Sequence, residues 1–145
     1  VPVMRARFYG LVLLGFTGCL SPGGQGLSSR DQEAPRVAQT EPGPGSRLPR
    51  EGALQITFSE PMDERSLAPG IALLFGNQEV PLEFFVPATR IPEPVLRGPF
   101  TVTARPRDGK LQGDAPYTLV LRTLLTDTAG NPFSEEVRVS FFTLP

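Results

Sequence analysis

The sequence predicts an all-β protein, a sandwich of about seven antiparallel strands, and three observations carry that prediction. Beyond residue 50, apolar and polar residues alternate in short runs. Each run is fenced by Pro, Gly, Asp or Asn, residues that end strands and build turns. No stretch shows the 3.6-residue apolar spacing of an amphipathic helix. Short strands in succession without helices are the pattern of two packed antiparallel sheets.

In chain order, a short stretch near Arg36 to Thr40 fits a first edge strand ahead of a Pro/Gly loop. Leu54, Ile56 and Phe58 alternate with Gln55, Thr57 and Ser59, the period of a strand with one buried face, and Pro61 ends it. Ile71 to Phe75 is continuously apolar between Pro69-Gly70 and Gly76-Asn77, which fits a strand at the sheet centre or buried on both faces. Gly76-Asn77-Gln78 reads as a tight turn. Val80, Leu82, Phe84 and Val86 then alternate with Glu79, Pro81, Glu83 and Phe85, and Pro81, lacking the N–H of a central ladder, puts this strand on an edge. A proline-punctuated loop (Pro87, Pro92, Pro94, Pro99) leads to Phe100, Val102 and Ala104 against Thr101, Thr103 and Arg105. After a second loop, Pro106 to Pro116, come Tyr117, Leu119 and Leu121, and the last alternation is Val137, Val139 and Phe141. Phe85 and Phe142 have the opposite parity from their strands' cores, so they form an adhesive patch or cover each other.

These elements delimit a folded domain over 50–145 that holds all of the ten Phe except Phe8 and Phe16. A domain of that size buries roughly 60 to 65% of its unfolded surface. Each large apolar side chain it buries contributes about 1.5–3 kcal/mol, so the core does not depend on a disulfide.

The residues upstream read as an export address. Arg5 and Arg7 precede the apolar run Phe8 to Leu14, and the small pair Thr17-Gly18 supplies a cleavage site, so 1–18 reads as a signal peptide removed from the mature chain. The run is too short to span a bilayer, which takes about 20 apolar residues. Cys19, the only cysteine, directly follows Thr17-Gly18, an order that resembles the lipobox of bacterial lipoproteins, although Phe16 stands where that family favours Leu. The resemblance implies lipidation of Cys19 and a membrane held through the N-terminal lipid; the alternative is an ordinary secretory signal that leaves Cys19 as a free thiol. Leu20 in place of Asp after the cysteine implies, by the enterobacterial sorting rule, the outer membrane. Residues 19–49, rich in Ser, Pro and Gly and without apolar periodicity, form the lipidated cysteine and a disordered, flexible linker.

Composition excludes several classes of activity. With 14 Lys+Arg against 15 Asp+Glu, a formal net charge of −1, the chain offers no basic footprint for nucleic acid. It has no His, so neither a Ser-His-Asp triad nor a Cys-His pair nor a His-ligated zinc is open to it. Its single Cys rules out an internal disulfide or a multi-cysteine metal cluster.

Two signatures sharpen the class. Leu111 to Tyr117 resembles the tyrosine corner of Greek-key sandwiches, in which a Tyr at the start of a strand returns its hydroxyl to backbone a few residues upstream. Ile56-Thr57-Phe58-Ser59-Glu60-Pro61-Met62-Asp63, the Tyr117 strand, Leu125-Thr126-Asp127-Thr128-Ala129-Gly130-Asn131-Pro132 and Ser140-Phe141-Phe142-Thr143 follow in an order that resembles the SbsA-type bacterial Ig-like domain family of surface-layer and cell-surface proteins. That resemblance covers roughly 48–143, departs in the proline-rich segment 87–99, and implies an Ig-like Greek-key β-sandwich.

The candidate chemistry is sparse. Glu60, Asp63, Asp127 and Asn131 supply hard oxygen donors in two loops, a candidate calcium set, though not in an EF-hand pattern. Against it stands a structural reading, with Asp127 making an Asx turn, Gly130 at positive φ and Asn131 bonding locally. Glu60 and Asp63 as a glycosidase pair would need a cleft and a fixed separation that one small sandwich rarely supplies. Serines lack a histidine partner, and Lys110, the sole lysine, falls in a loop. The expectation is a non-enzymatic, lipid-anchored cell-envelope protein without a cofactor. It would display the domain as a structural or interaction module toward an envelope protein or glycan. The alternative is a glycan- or calcium-binding domain that uses the loops around Glu60–Asp63 and Asp127–Asn131.

Overall fold

The computed structural model describes residues 31–87 and 98–145, so the signal peptide, Cys19, the first part of the linker and most of the proline-rich segment lie outside the described residues. Among the described residues, nine strands and one short helix follow in the order β1 (Val37–Glu41), β2 (Arg47–Leu48), β3 (Leu54–Phe58), α1 (Glu64–Gly70), β4 (Ile71–Phe75), β5 (Gln78–Val80), β6 (Leu82–Phe85), β7 (Phe100–Pro106), β8 (Pro116–Leu121) and β9 (Val137–Thr143). They form two sheets, β1-β3-β7-β6 and β2-β9-β8-β4-β5. All pairings are antiparallel except β2 with β9, and the result is an Ig-like β-sandwich.

Alternation in the sequence becomes burial in the sandwich. Leu54, Ile56 and Phe58 of β3 face Ala104, Val102 and Phe100 of β7 in register, and all six are buried, while Gln55 and Thr57 point outward. In the opposite sheet Tyr117, Leu119 and Leu121 of β8 pair with Phe141, Val139 and Val137 of β9. Aromatic rings pack side by side across β4, β8 and β9 of this sheet, and Phe58 of the other sheet meets a ring from the loop before β9. Tyr117 stacks on Phe141 with centroids 5.8 Å apart and tilts against Phe75 at 5.2 Å, and Phe58 meets Phe133 edge-on at 5.8 Å. No buried side-chain nitrogen or oxygen among the described residues lacks a hydrogen-bond partner.

The structure departs from the sequence reading at four places. The edge strand expected near Arg36 to Thr40 is present as β1, but it pairs with β3 along Val37–Glu41, and β2 adds Leu48 to the core, so the folded domain starts well before residue 50 and takes in much of the expected linker. Both strands lie on edges and bury little, so neither carries an apolar stripe. The expected single strand from Glu79 to Val86 is two strands in different sheets. Val80 pairs with Leu73 and Leu82 with Pro106, so the chain crosses between sheets at Pro81, and each half is indeed an edge. A helix, α1, occurs where none was expected. Asp63 caps it, its carboxylate accepting the Arg65 N–H at 3.0 Å, and Ser66, Leu67 and Gly70 are buried. Finally, Phe85 lies on the outer face of the four-stranded sheet, with the Arg105 guanidinium 5.6 Å from its ring centroid, and Phe142 on the outer face of the other sheet. The two aromatics therefore do not cover each other.

The corner before β8 is closed by two side chains. The Tyr117 hydroxyl accepts the Gln112 N–H at 2.9 Å. Thr143, fully buried near the end of β9, accepts the Ala115 N–H at 3.0 Å and donates to the Gln112 carbonyl at 2.6 Å. Buried polar groups in this corner are thereby paired rather than stranded.

Candidate functional site

The polar residues that the sequence singles out lie in two loops at one end of the sandwich, between β3 and α1 and between β8 and β9. Each loop is built by its own short-range bonds. Asp127 is buried, and one carboxylate oxygen accepts the Asn131 main-chain N–H at 2.8 Å while the other accepts the Asn131 amide at 2.8 Å. The Asp127 N–H returns to the Asn131 carbonyl at 3.0 Å and the Gly130 N–H reaches the Asp127 carbonyl at 3.1 Å. Closing that turn places Gly130 at φ +90°, a conformation glycine adopts without steric penalty.

The two loops are then joined. The Asp63 N–H donates to the Thr126 carbonyl at 2.9 Å and the Thr128 N–H to the Pro61 carbonyl at 3.2 Å. The Ser66 hydroxyl, on α1, donates to the Asp63 carbonyl at 2.7 Å and accepts the Thr126 N–H at 3.1 Å. Beneath them Gly70 packs so closely on Leu125 that an added Cβ would fall 2.5 Å from its Cγ. The segment ahead of β1 docks on the same end, where the Asn131 amide donates to the Asp31 carbonyl at 3.0 Å.

This architecture gathers a different acidic set from the one the sequence nominates. Carboxylate oxygens of Asp31, Glu60 and Asp127 lie within 4.8 Å of one another. Asp63 is engaged elsewhere, its two oxygens accepting from the Arg65 guanidinium at 3.1 and 3.0 Å. Asn131 is present as the brace that holds Asp127. Burial, then the carboxylates of Asp127 and Asp31, push Glu60 up to about 7. The hydrogen bonds from Arg65, first from its side chain and then from its backbone, hold Asp63 below its ordinary value. Three converging carboxylates are hard donors, so Asp31, Glu60 and Asp127 are the residues that would hold a cation such as calcium. Asp31 is the member sequence reasoning missed, because it sits in a stretch with no periodicity and acquires its neighbours only through the fold. Beside the cluster, an open cleft of about 450 Å³ is lined by Pro61, Met62, Asp63, Arg65, Phe100 and Thr128.

The two-sheet order, the Tyr117 corner and the loop pairing define a recognisable domain, and the sequence pattern of the bacterial Ig-like domain matches residues 31–143. The chain belongs to the bacterial Ig-like domain family. The match begins at Asp31, in agreement with a fold that takes in β1 and β2. Among solved structures, the Ig-like fold is shared with the S-layer protein rSbsC, at TM-score 0.50 and 20% identity over 76% of this chain and 14% of that one. The N-terminal part of the bacterial S-layer protein SbsC is similar at TM-score 0.49 and 23% identity, over 77% of this chain and 24% of that one. The chain thus spans a small fraction of either S-layer chain. No curated protein matches it.

Proposed function

We propose that this chain is a non-enzymatic protein of the bacterial cell envelope that presents one Ig-like sandwich as a structural or interaction module toward an envelope protein or glycan. The observation that carries this reading is the family match, which covers the sandwich from the segment before β1 to the last residue of β9. A fold shared with S-layer proteins supports a cell-surface or exported location, and the motif order from Ile56 to Thr143 supports the SbsA-type branch of the family. Attachment rests on the sequence alone. Thr17-Gly18-Cys19 behind a short apolar run supports lipidation at Cys19, and Leu20 supports delivery to the outer membrane. More than one acyl chain on that cysteine would hold the module at the bilayer where a single chain gives marginal binding. Intact mass and membrane fractionation of the full-length protein beside Cys19→Ser test this directly. An acylated, membrane-bound product lost in the variant supports it, whereas a soluble, unacylated product would leave a secreted Ig-like module instead.

A second reading, calcium binding at the loop end, is favoured by one observation, the convergence of Asp31, Glu60 and Asp127. A cation bound only by the native state raises Tm by mass action. Calcium added to chelator-treated protein would raise Tm, and Glu60→Gln would remove most of the rise. A Tm indifferent to calcium would sink this reading and leave the structural module standing.

A further inference from the structure

We draw no further inference here: the strongest candidate, the groove of about 410 Å³ between β1 and the start of β9, lined by Val37, Phe133, Val137 and Val139, carries nothing because nothing in the structure shows what covers it.

Discussion

The Tyr117 hydroxyl accepts the Gln112 main-chain N–H at 2.9 Å, a bond across five residues that fixes the corner through which the chain passes into β8. The ring below it is sandwiched between Phe75 and Phe141, so the same side chain serves both the core and the loop. Tyr117→Phe keeps the packing and deletes the acceptor. Because Gln112 is exposed, water can replace part of the lost bond, and the expected cost is about 1 kcal/mol, read as a lower urea midpoint at unchanged slope. A midpoint equal to the parent's would mean the corner holds without its tyrosine.

Thr143→Val should cost more. The substitution preserves shape but strands the buried Ala115 N–H, whose partner is the fully buried Thr143 hydroxyl, and takes the donor from the Gln112 carbonyl. Leaving a buried donor unpaired costs about 1–3 kcal/mol. Thermal and urea denaturation of Thr143→Val beside Thr143→Ser would check this, with the serine variant retaining the bonds and most of the stability.

Gly70→Ala tests the seam between α1 and the loop before β9. Helix propensity alone would favour alanine by about 1 kcal/mol. The close approach of Leu125 opposes it, since the new methyl would sit 2.5 Å from Cγ, and overpacking of a filled core costs about 1–3 kcal/mol. Net destabilisation is expected, and relief by Leu125→Ala in the double variant would place the clash where the geometry puts it. A more stable Gly70→Ala protein would show that propensity wins.

The acidic cluster predicts a pH dependence of uncommon sign. Glu60 ionises near 4.5 in the unfolded chain and near 7 in the folded one, so between those values the native state binds the extra proton. Stability is then greatest below about pH 4.5 as far as this group is concerned, declines as pH rises to about 7, and levels off above it. Glu60→Gln should remove that decline. Denaturation midpoints taken in chelator across this range provide the check, and parallel profiles for parent and variant would contradict the assignment.

How much of this was legible beforehand depends on how burial is distributed. β3, β7 and β9 each bury one face, as β8 does over its first half, and a one-faced strand writes itself into the sequence as alternation, as Leu54-Ile56-Phe58 does. The sheet crossing at Pro81 was hidden because Val80, Leu82 and Phe84 keep one parity through it, so nothing in the pattern marks the change of partner from β4 to β7. Helix α1 was hidden by its length and by Pro69 near its end, and it buries only Ser66, Leu67 and Gly70, too few for a periodic stripe. Asp127 and Asn131 were legible because their bonds are local. Asp31 and Glu60 were not legible as a pair, since the fold alone brings the segment before β1 against the loop after β3.

The direction of β2 also has a mechanical consequence. It runs parallel to β9, joined by Gly45 N–H to the Ser140 carbonyl at 2.7 Å, Phe142 N–H to the Ser46 carbonyl at 3.0 Å and Leu144 N–H to the Leu48 carbonyl at 2.9 Å. The chain comes in at the Asp127 end, where Asp31 docks, and leaves at the Tyr117 corner, where the Leu144 carbonyl accepts the Asp114 N–H. Tension between those two ends pulls along the strands, so the three bonds are sheared together rather than peeled one by one. Single-molecule pulling between Asp31 and Leu144 should therefore give one abrupt rupture, and gradual unzipping at low force would contradict it. For a module loaded between its ends, toughness would come from strand direction as much as from the depth of its core.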